Sequence, residues 1–544
     1  MAVAFHYSIH FVYEETLVRW SKMGTWQFAC GSFLMMSGAA LLSGWLVNQK
    51  NPAAGGSGIP QLKLAYWKDF GWMSPKIIWV KFVAATLSIG GGMSLGREGP
   101  SVQLAGASGS WLATRLKLAK QMHRMPSAAA SAAGLAAAFN TPLAAVTFVL
   151  EEIVGDLNSR FLGPILVASV VGALVAHGLI GPEPAFRLGA LAEPDWEVYA
   201  LTPVVAVFAA LVGVMFQWGT LKLRGRMKIW TAVPPGVRLL CCAVLAWGIG
   251  MAVWLGTGHL GVFSLGYEDL SSALAGSLSW KIAALLMVAK LAATILCYGG
   301  GGCGGIFSPT LFLGGMAGLA VGGACQFFLP VSGGDIVILS VVGMCACLGA
   351  VVRAPVTGIL IVFEMTHQFS LLLPLMLGAL IAHSLGKRML HGNFYEAILE
   401  QDGNELERII PPRDLESWQQ LPISAIANFS PVSLPSVEKN IIAEAFEKHS
   451  YRAFPVIDPE GIKGILRRSE IERAMLEQRL PDLDAPVIVR PHEQIQDVQQ
   501  KMIQRGAAMV LLCDHQERLM AVVTLHDLLR AQLSYGKMHG DRGV

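Results

Sequence analysis

Charge is what this chain lacks. Lys, Arg, Asp and Glu make up 15% of its 544 residues, against about 25% in a soluble globular chain. Hydrophobic residues fill 53%, and the mean hydropathy is +0.51. That composition excludes an ordinary soluble domain for most of the length and places the chain in the membrane class. The net charge of +3 is too small for an extended nucleic-acid surface. Metal-ligand spacing is missing as well. The nine cysteines are odd in number and contain no CxxC, and all but Cys513 lie in apolar runs. They are expected as small packing residues without a metal or redox role. His6, His10, His177, His367 and His383 show no ligand spacing. Residues 1–20 lack a basic start followed by an apolar core and a small-residue cleavage site, so no cleaved leader is expected.

Apolar segments and glycine take the place of charge. Apolar runs such as 26–48, 128–150, 161–180, 203–217, 237–263, 281–298 and 372–386 fill the chain to about residue 390. Crossing the hydrocarbon core takes about 20 apolar residues. Several runs are shorter or are cut by Gly and Pro, which predicts a mixture of full spans and half-spanning helices. The 59 glycines allow close helix packing and non-helical backbone at membrane depth. After His391 the composition becomes that of ordinary soluble sequence. The expected division is a membrane part over 1–400, a linker over 401–419, and two soluble units over 420–478 and 479–536. Arg115, Lys117, Lys120 and Arg124 make one loop strongly basic, and Lys387–Arg388 precede the tail. The positive-inside rule puts both, and the tail, in the cytoplasm.

The membrane part repeats itself. Residues 81–100, KFVAATLSIGGGMSLGREGP, align without gaps on 290–309, KLAATILCYGGGGCGGIFSP, with eight of 20 positions identical at an offset of 209. A second pair follows at offset 213: FNTPLAAVTFVLEE at 139–152 and VRAPVTGILIVFEM at 352–365, matching Pro142 with Pro355 and Glu151 with Glu364. Two collinear matches indicate duplication. They leave open whether the halves run parallel or inverted.

Three Gly-rich turns end in proline: GGSGIP at 55–60, GREGP at 96–100 and GGIFSP at 304–309. Proline suits the first helical position, so each turn reads as a helix start. The first N–H groups of a helix have no intrahelical acceptor, and that end is electropositive. Glycine lets a bare ion approach them. Several such ends meeting at low dielectric would bind an anion without a full positive charge, and so could release it. Gly58 in the first turn and Arg97 and Gly99 in the second are candidate contacts. Gly299–Gly304 fits GxGxxG, but no strand precedes it and no acidic residue follows at the required distance, so no dinucleotide site is expected. Glu98 sits within a helix start in an apolar region. A carboxylate at membrane depth costs about 2.5–3.5 kcal/mol on insertion scales and is functional by default. At an anion-binding helix end it resembles the ion, occupying the site and leaving when protonated or displaced. Glu151 and Glu152 end an apolar helix, where a water-filled path would let one of them relay protons. Glu364 reads as structural.

GSGIP, GREGP, GIFSP and FNTPLAAVTFVLEE, in this order over residues 2–400, resemble the signature stretches of the CLC chloride channel and transporter family. The fold this implies is an all-α polytopic membrane domain of two inverted repeats of tilted and broken helices. It would form a homodimer with one pore per subunit in the lipid bilayer of a plasma or inner membrane. The resemblance implies a transporter and not an enzyme. Ser57 matches the serine that donates its hydroxyl to the central chloride, and serine here goes with chloride over nitrate. Glu98 matches the gating glutamate. Ile306 and Phe307 match the residues whose amides line the site, and Tyr395, in GNFYEAIL, the tyrosine bounding its inner side. Glu152 matches the internal glutamate that passes protons in exchangers. Glu98 and Glu152 together imply chloride/proton antiport; the alternatives are a passive chloride channel or an exchanger for another anion such as nitrate. A divalent-cation transporter would need clustered intramembrane carboxylates instead. Family members carry a helix and part of another ahead of the stretch resembling MAVAFHYSIHFVYEETLVRW, so a start upstream of Met1 is expected.

The tail holds two similar units. One contains YRAFPVID, GIKGILRR and SEIERAML, the other AAMVLLCD, RLMAVVT and LHDLLRAQ. Each reads as helix, strand, strand, helix. They resemble a tandem pair of cystathionine-β-synthase (CBS) domains, an α+β module. Such pairs can bind an adenine nucleotide, and Thr524 and Asp527 match the ribose-binding Thr-x-x-Asp. Arg467 and Glu470 hold the corresponding places of the first unit and depart from that pattern. A dimerisation and stability module is the alternative. No other cofactor is expected.

Overall fold

The computed structural model describes residues 1–157, 161–186, 188, 193–404, 418–477, 479–514 and 516–531. The chain divides into two compact units, Met1–Ile409 and Ile410–Val544. Among the described residues, eight helices are long and apolar enough to cross a membrane.

The first half of unit one begins with α1 (Ala2–Tyr13), which runs through a π-turn into α2 (Arg19–Met23). It continues with α3 (Thr25–Lys50), α4 (Ile59–Lys68), α5 (Lys76–Gly90), α6 (Glu98–Arg115), α7 (Arg124–Phe139), α8 (Pro142–Phe148) and α9 (Leu162–Leu179). The second half answers it element by element. Its helices are α10 (Trp196–Ile229), α11 (Pro235–Thr257), α12 (Tyr267–Leu274), α13 (Trp280–Gly299), α14 (Phe307–Cys325), α15 (Gly333–Val352), α16 (Pro355–Thr366) and α17 (Leu372–Met389). A short α18 (Phe394–Gln401) closes the unit. Helices α4, α8, α12 and α16 have 10, 7, 8 and 12 residues. α8 runs on through a π-turn, Val149–Val154, and at about 1.5 Å per residue each of the four falls well short of a ~30 Å hydrocarbon core. The mixture of full and half spans is therefore present.

Three contacts show how the halves are related. Gly96 N donates to Gly305 O at 2.7 Å, and Gly305 N donates to Gly96 O at 2.5 Å, in an antiparallel bridge. These two residues are equivalent in the sequence repeat. Glu364 accepts from the amides of Leu143 and Ala144 at the start of α8, at 3.0 and 2.8 Å. Its equivalent, Glu151, accepts from Thr357 N and Thr357 Oγ1 at the start of α16, at 3.0 and 2.8 Å. Exchange of equivalent partners between oppositely directed chains is the mark of a two-fold axis. The halves are thus related by a pseudo-two-fold axis, as repeats of this kind are. Each half also buries one lysine without a carboxylate partner. Lys81 Nζ donates to the carbonyls of Ala54 and Gly56. Lys290, its repeat equivalent, donates to those of Val262 and Ser264. Each ammonium ties down the loop ahead of a half-helix.

Unit two repeats one motif. β1 (Ala453–Asp458) pairs antiparallel with β2 (Gly461–Arg467), flanked by α19 (Lys439–Lys448) and α20 (Arg468–Glu477). The second copy has β3 (Ile488–Val489), α21 (Ile495–Arg505), β4 (Met509–Cys513) and β5 (Leu519–Thr524), in sheet order β3-β4-β5. Ile465 of one copy packs with Met509, Leu511, Cys513 and Val522 of the other. All nine cysteines are free thiols.

Candidate functional site: three helix starts around a buried carboxylate

The three Gly-rich turns do start helices, and the starts meet. Gly58, left-handed at φ +91°, caps α4; Arg97 caps α6; Ile306 caps α14. Gly304 N donates to Gly56 O at 3.1 Å, joining the first and third turns, and the Gly96–Gly305 bridge joins the second and third. A Cβ on Gly99 would stand 2.7 Å from Ser57 O, and one on Gly305 would stand 2.9 Å from Gly99 N. Any side chain at these places would push the helix ends apart. Phe307 is fixed from behind by Phe148, with ring centroids 5.3 Å apart at 77°. Such edge-to-face pairs contribute about 0.5–1.5 kcal/mol beyond area burial.

Glu98 fills the focus of these ends. It is fully buried. Its Oε2 accepts from Ser308 N at 3.4 Å, in the first turn of α14, and its Oε1 from Tyr267 Oη at 2.8 Å. The Ser308 hydroxyl also donates to Oε1. A Cβ on Gly96 would lie 2.4 Å from Oε2, so glycine there makes room for the carboxylate. The negative side chain of one repeat thus occupies the electropositive helix end of the other. Tyr267 and Arg97 also line a cavity of ≈ 290 Å³, together with His10, Glu14, Glu268 and Asp269. The Arg97 guanidinium itself bonds the His6 ring and Ala138 O and lies over the Tyr267 ring. It packs the turn into place instead of pointing at the helix ends.

Ser57 is buried, and its N–H donates to Tyr298 Oη at 3.3 Å. Tyr298, Phe394 and Tyr395 follow as a run of ring contacts. Tyr395 is fully buried, yet its hydroxyl has no hydrogen-bond partner. A buried hydroxyl left unpaired costs about 1–3 kcal/mol, so a ligand is the expected acceptor. Glu98 and Glu152 are both near enough to act electrostatically on this phenol. Glu152 is buried behind it, bonded by Lys63 Nζ at 2.9 Å and Asn393 Nδ2 at 3.0 Å.

A family model described as voltage gated chloride channel matches residues 39–387, and CBS domain models match 440–477 and 483–534. The H(+)/Cl(-) exchange transporter ClcA of Yersinia pestis is 30% identical over 410 residues, covering 73% of this chain and 84% of that protein. The protein of the same name from Vibrio campbellii is 32% identical over 412 residues, covering 73% and 86%. The chain belongs to the CLC family. Two solved CLC-type structures share its fold. A slow cyanobacterial Cl−/H+ antiporter superposes with a TM-score of 0.65 at 23% identity, over 74% of this chain and 94% of that one. A eukaryotic CLC transporter gives 0.60 at 20% identity, over 96% and 94%.

Within this CLC chain, sequence reading overlooked five side chains. Tyr267, Tyr298, Ser308, Lys63 and Asn393 contact the site residues. Ser308 lay inside a recognised turn, Tyr298 inside the repeat and Asn393 inside GNFYEAIL, whereas nothing local marks Tyr267 or Lys63. Glu151, next to Glu152, is spent on capping α16, so the two neighbours have different tasks.

In the tail, Thr524 and Asp527 satisfy each other. Thr524 Oγ1 and N donate to Asp527 Oδ2 at 2.6 and 2.9 Å, and Asp527 N donates back to Thr524 Oγ1. This is a reciprocal N-terminal cap. In the first unit Arg467 pairs with Asp484, and Glu470 with Arg479. The hydrogen-bonded Arg479 guanidinium holds the Glu470 carboxyl below the usual range. Those ion pairs set the first unit apart from the second, whose hydroxyl and carboxylate bond each other.

Proposed function

We propose that this chain exchanges chloride for protons across a plasma or inner membrane. The observation that carries this is Glu98, seated on the start of α14 where the starts of α4 and α6 converge, with a second buried carboxylate, Glu152, beyond Tyr395. Chloride competes with the Glu98 carboxylate for the same electropositive place. It would be held by the hydroxyls of Ser57 and Tyr395 and the backbone N–H groups of Ile306 and Phe307. Gly58 and Gly99 serve by letting the helix ends approach. Chloride arriving displaces Glu98, which takes a proton; the neutral side chain leaves the site, and the proton is exchanged with the other side through Glu152. The relatives named as H(+)/Cl(-) exchange transporters support this assignment.

The basic loop fixes the sidedness proposed. Arg124 donates to Tyr66 O and Trp67 O, and Trp67 Nε1 to Ile153 O, so that loop, the end of α4 and Glu152 share one end of the domain. Positive-inside placement makes this the cytoplasmic end, and the Lys387–Arg388 pair ahead of the tail supports a cytoplasmic tail by the same rule. The exposed apolar faces of α9 and α17, including Val167, Leu174, Leu373 and Leu380, suit a second copy of the chain or lipid. A homodimer is our assignment. An adenine nucleotide at Thr524 and Asp527 is the ligand proposed for the tail.

The test is reconstitution into liposomes with an outward chloride gradient. Wild type should drive protons uphill. Glu152→Gln should pass chloride without protons, and Glu98→Gln should do the same. Proton movement that persists in Glu152→Gln would overturn the exchange path.

A further inference from the structure

Glu152 is one corner of a buried ionic triad. Lys63 Nζ stands 2.9 Å from Glu152 Oε1 and 3.0 Å from Glu396 Oε1. The side chains of Glu152 and Lys63 are 4% and 6% exposed, but that of Glu396 is 39% exposed. The triad therefore runs from water to the buried carboxylate through one ammonium.

Its members are held in place. Asn393 caps α18, accepting from Glu396 N at 2.8 Å, while Glu396 Oε2 accepts from Asn393 N at 3.3 Å. The same Asn393 donates through Nδ2 to Glu152. Lys63 lies on α4, whose start carries Ser57 and Gly58, and Glu396 follows Tyr395 on α18. Two elements thus each contribute one residue toward the anion place and the next toward the triad. Two carboxylates and one ammonium sum to a charge of minus one. A single added proton makes the group neutral, which is the least costly change available to buried charges.

We propose that Glu396 takes protons from the aqueous side and passes them to Glu152 through the Lys63 ammonium. A proton from water binds Glu396. Lys63 Nζ first gives one of its protons to Glu152 Oε1, and the lone pair this frees then takes the proton from Glu396. One N–H bond breaks and another forms, Lys63 ends as an ammonium, and one proton has moved from Glu396 to Glu152. The half-exposed carboxylate solves a problem that Glu152 alone would have, because its own side chain has almost no contact with solvent.

This rests on the proton role of Glu152 given above, so the experiment separates the two. In proteoliposomes, chloride-driven proton uptake is measured for wild type, Glu152→Gln, Glu396→Gln, Glu396→Asp and Lys63→Arg, with chloride affinity by calorimetry on the same preparations. Arginine keeps both ion pairs but does not release a proton. Glu396→Gln and Lys63→Arg should slow proton uptake at least fivefold with chloride affinity unchanged within twofold, and Glu396→Asp should restore most of the rate. Wild-type proton uptake in Lys63→Arg would overturn the relay even if Glu396→Gln failed to fold. Wild-type uptake in Glu396→Gln alongside an uncoupled Glu152→Gln would overturn the inference and leave the exchange path standing. A coupled Glu152→Gln would overturn the path itself.

Discussion

Tyr267→Phe removes a single oxygen from the seat of the Glu98 carboxylate. The hydroxyl lies 2.8 Å from Glu98 Oε1 and 2.8 Å from Ser308 Oγ. The ring stays, packed against Phe186 with centroids 5.4 Å apart. A hydrogen bond to a charged group has a net worth of about 1.5–3 kcal/mol. Glu98 keeps the amide and hydroxyl of Ser308, so its seat is weakened and not abolished. If carboxylate and chloride compete for the helix ends, weakening one strengthens the other by the same free energy. That corresponds to roughly 10–100-fold tighter apparent chloride binding, since each 1.4 kcal/mol is tenfold. Calorimetric titration of purified protein with chloride at neutral pH measures it. The change should vanish in a Glu98→Gln background, where no carboxylate competes. Chloride affinity within twofold of wild type, or an equal gain in both backgrounds, would refute the competition on which the proposed exchange rests.

Four further outcomes are expected. Glu151→Gln and Glu364→Gln should each lower the thermal midpoint of the membrane unit, because each weakens a charged helix cap worth about 0.5–2 kcal/mol. Glu151→Gln should nevertheless leave proton coupling intact, in contrast to its neighbour Glu152, and loss of coupling there would move the relay. Lys290→Met should destabilise by about 1–3 kcal/mol by stripping the donor from the Val262 and Ser264 carbonyls, and Lys81→Met should cost less, because Ala54 O keeps Cys303 Sγ and Gly56 O keeps Gly304 N; fluorescence-detected melting in detergent would show the order. Thr524→Ala should cost about 1 kcal/mol of tail stability by loss of the cap, and calorimetry with ATP, ADP and AMP should show weakened binding in the same variant. Equal nucleotide affinity in wild type and variant would end the assignment of that site.

Local chemistry accounts for what was legible early. Pro60, Pro100 and Pro309 each mark a helix start: they are the second or third residues of α4, α6 and α14, in the first turn, where a missing N–H forfeits no intrahelical bond. A mixture of full and half spans was visible because several apolar runs are short or cut by Gly and Pro. Glu98 stood out because an isolated carboxylate in apolar sequence has few structural excuses. The triad was not legible, because Lys63 and Glu396 are 333 residues apart and each looks like an ordinary helical charge. Tyr267 was hidden for the same reason, being 169 residues from Glu98. The direction of the Arg97 side chain was not legible either. Its place beside Glu98 suggests the anion, yet its guanidinium turns to His6 and Ala138.

By itself, the sequence determined the membrane class, the duplication, the three helix starts and the soluble pair behind them. Each follows from composition or from backbone preferences acting within a few residues. The tertiary structure alone decided the rest. It joined the halves about a pseudo-two-fold axis through the Gly96–Gly305 bridge, which no local preference encodes. It assigned Glu151 to a helix cap and Glu152 to a buried triad, although the two are neighbours with the same side chain. The physical reason is direction: successive residues on a helix point about 100° apart, so packing against different partners gives identical groups different work.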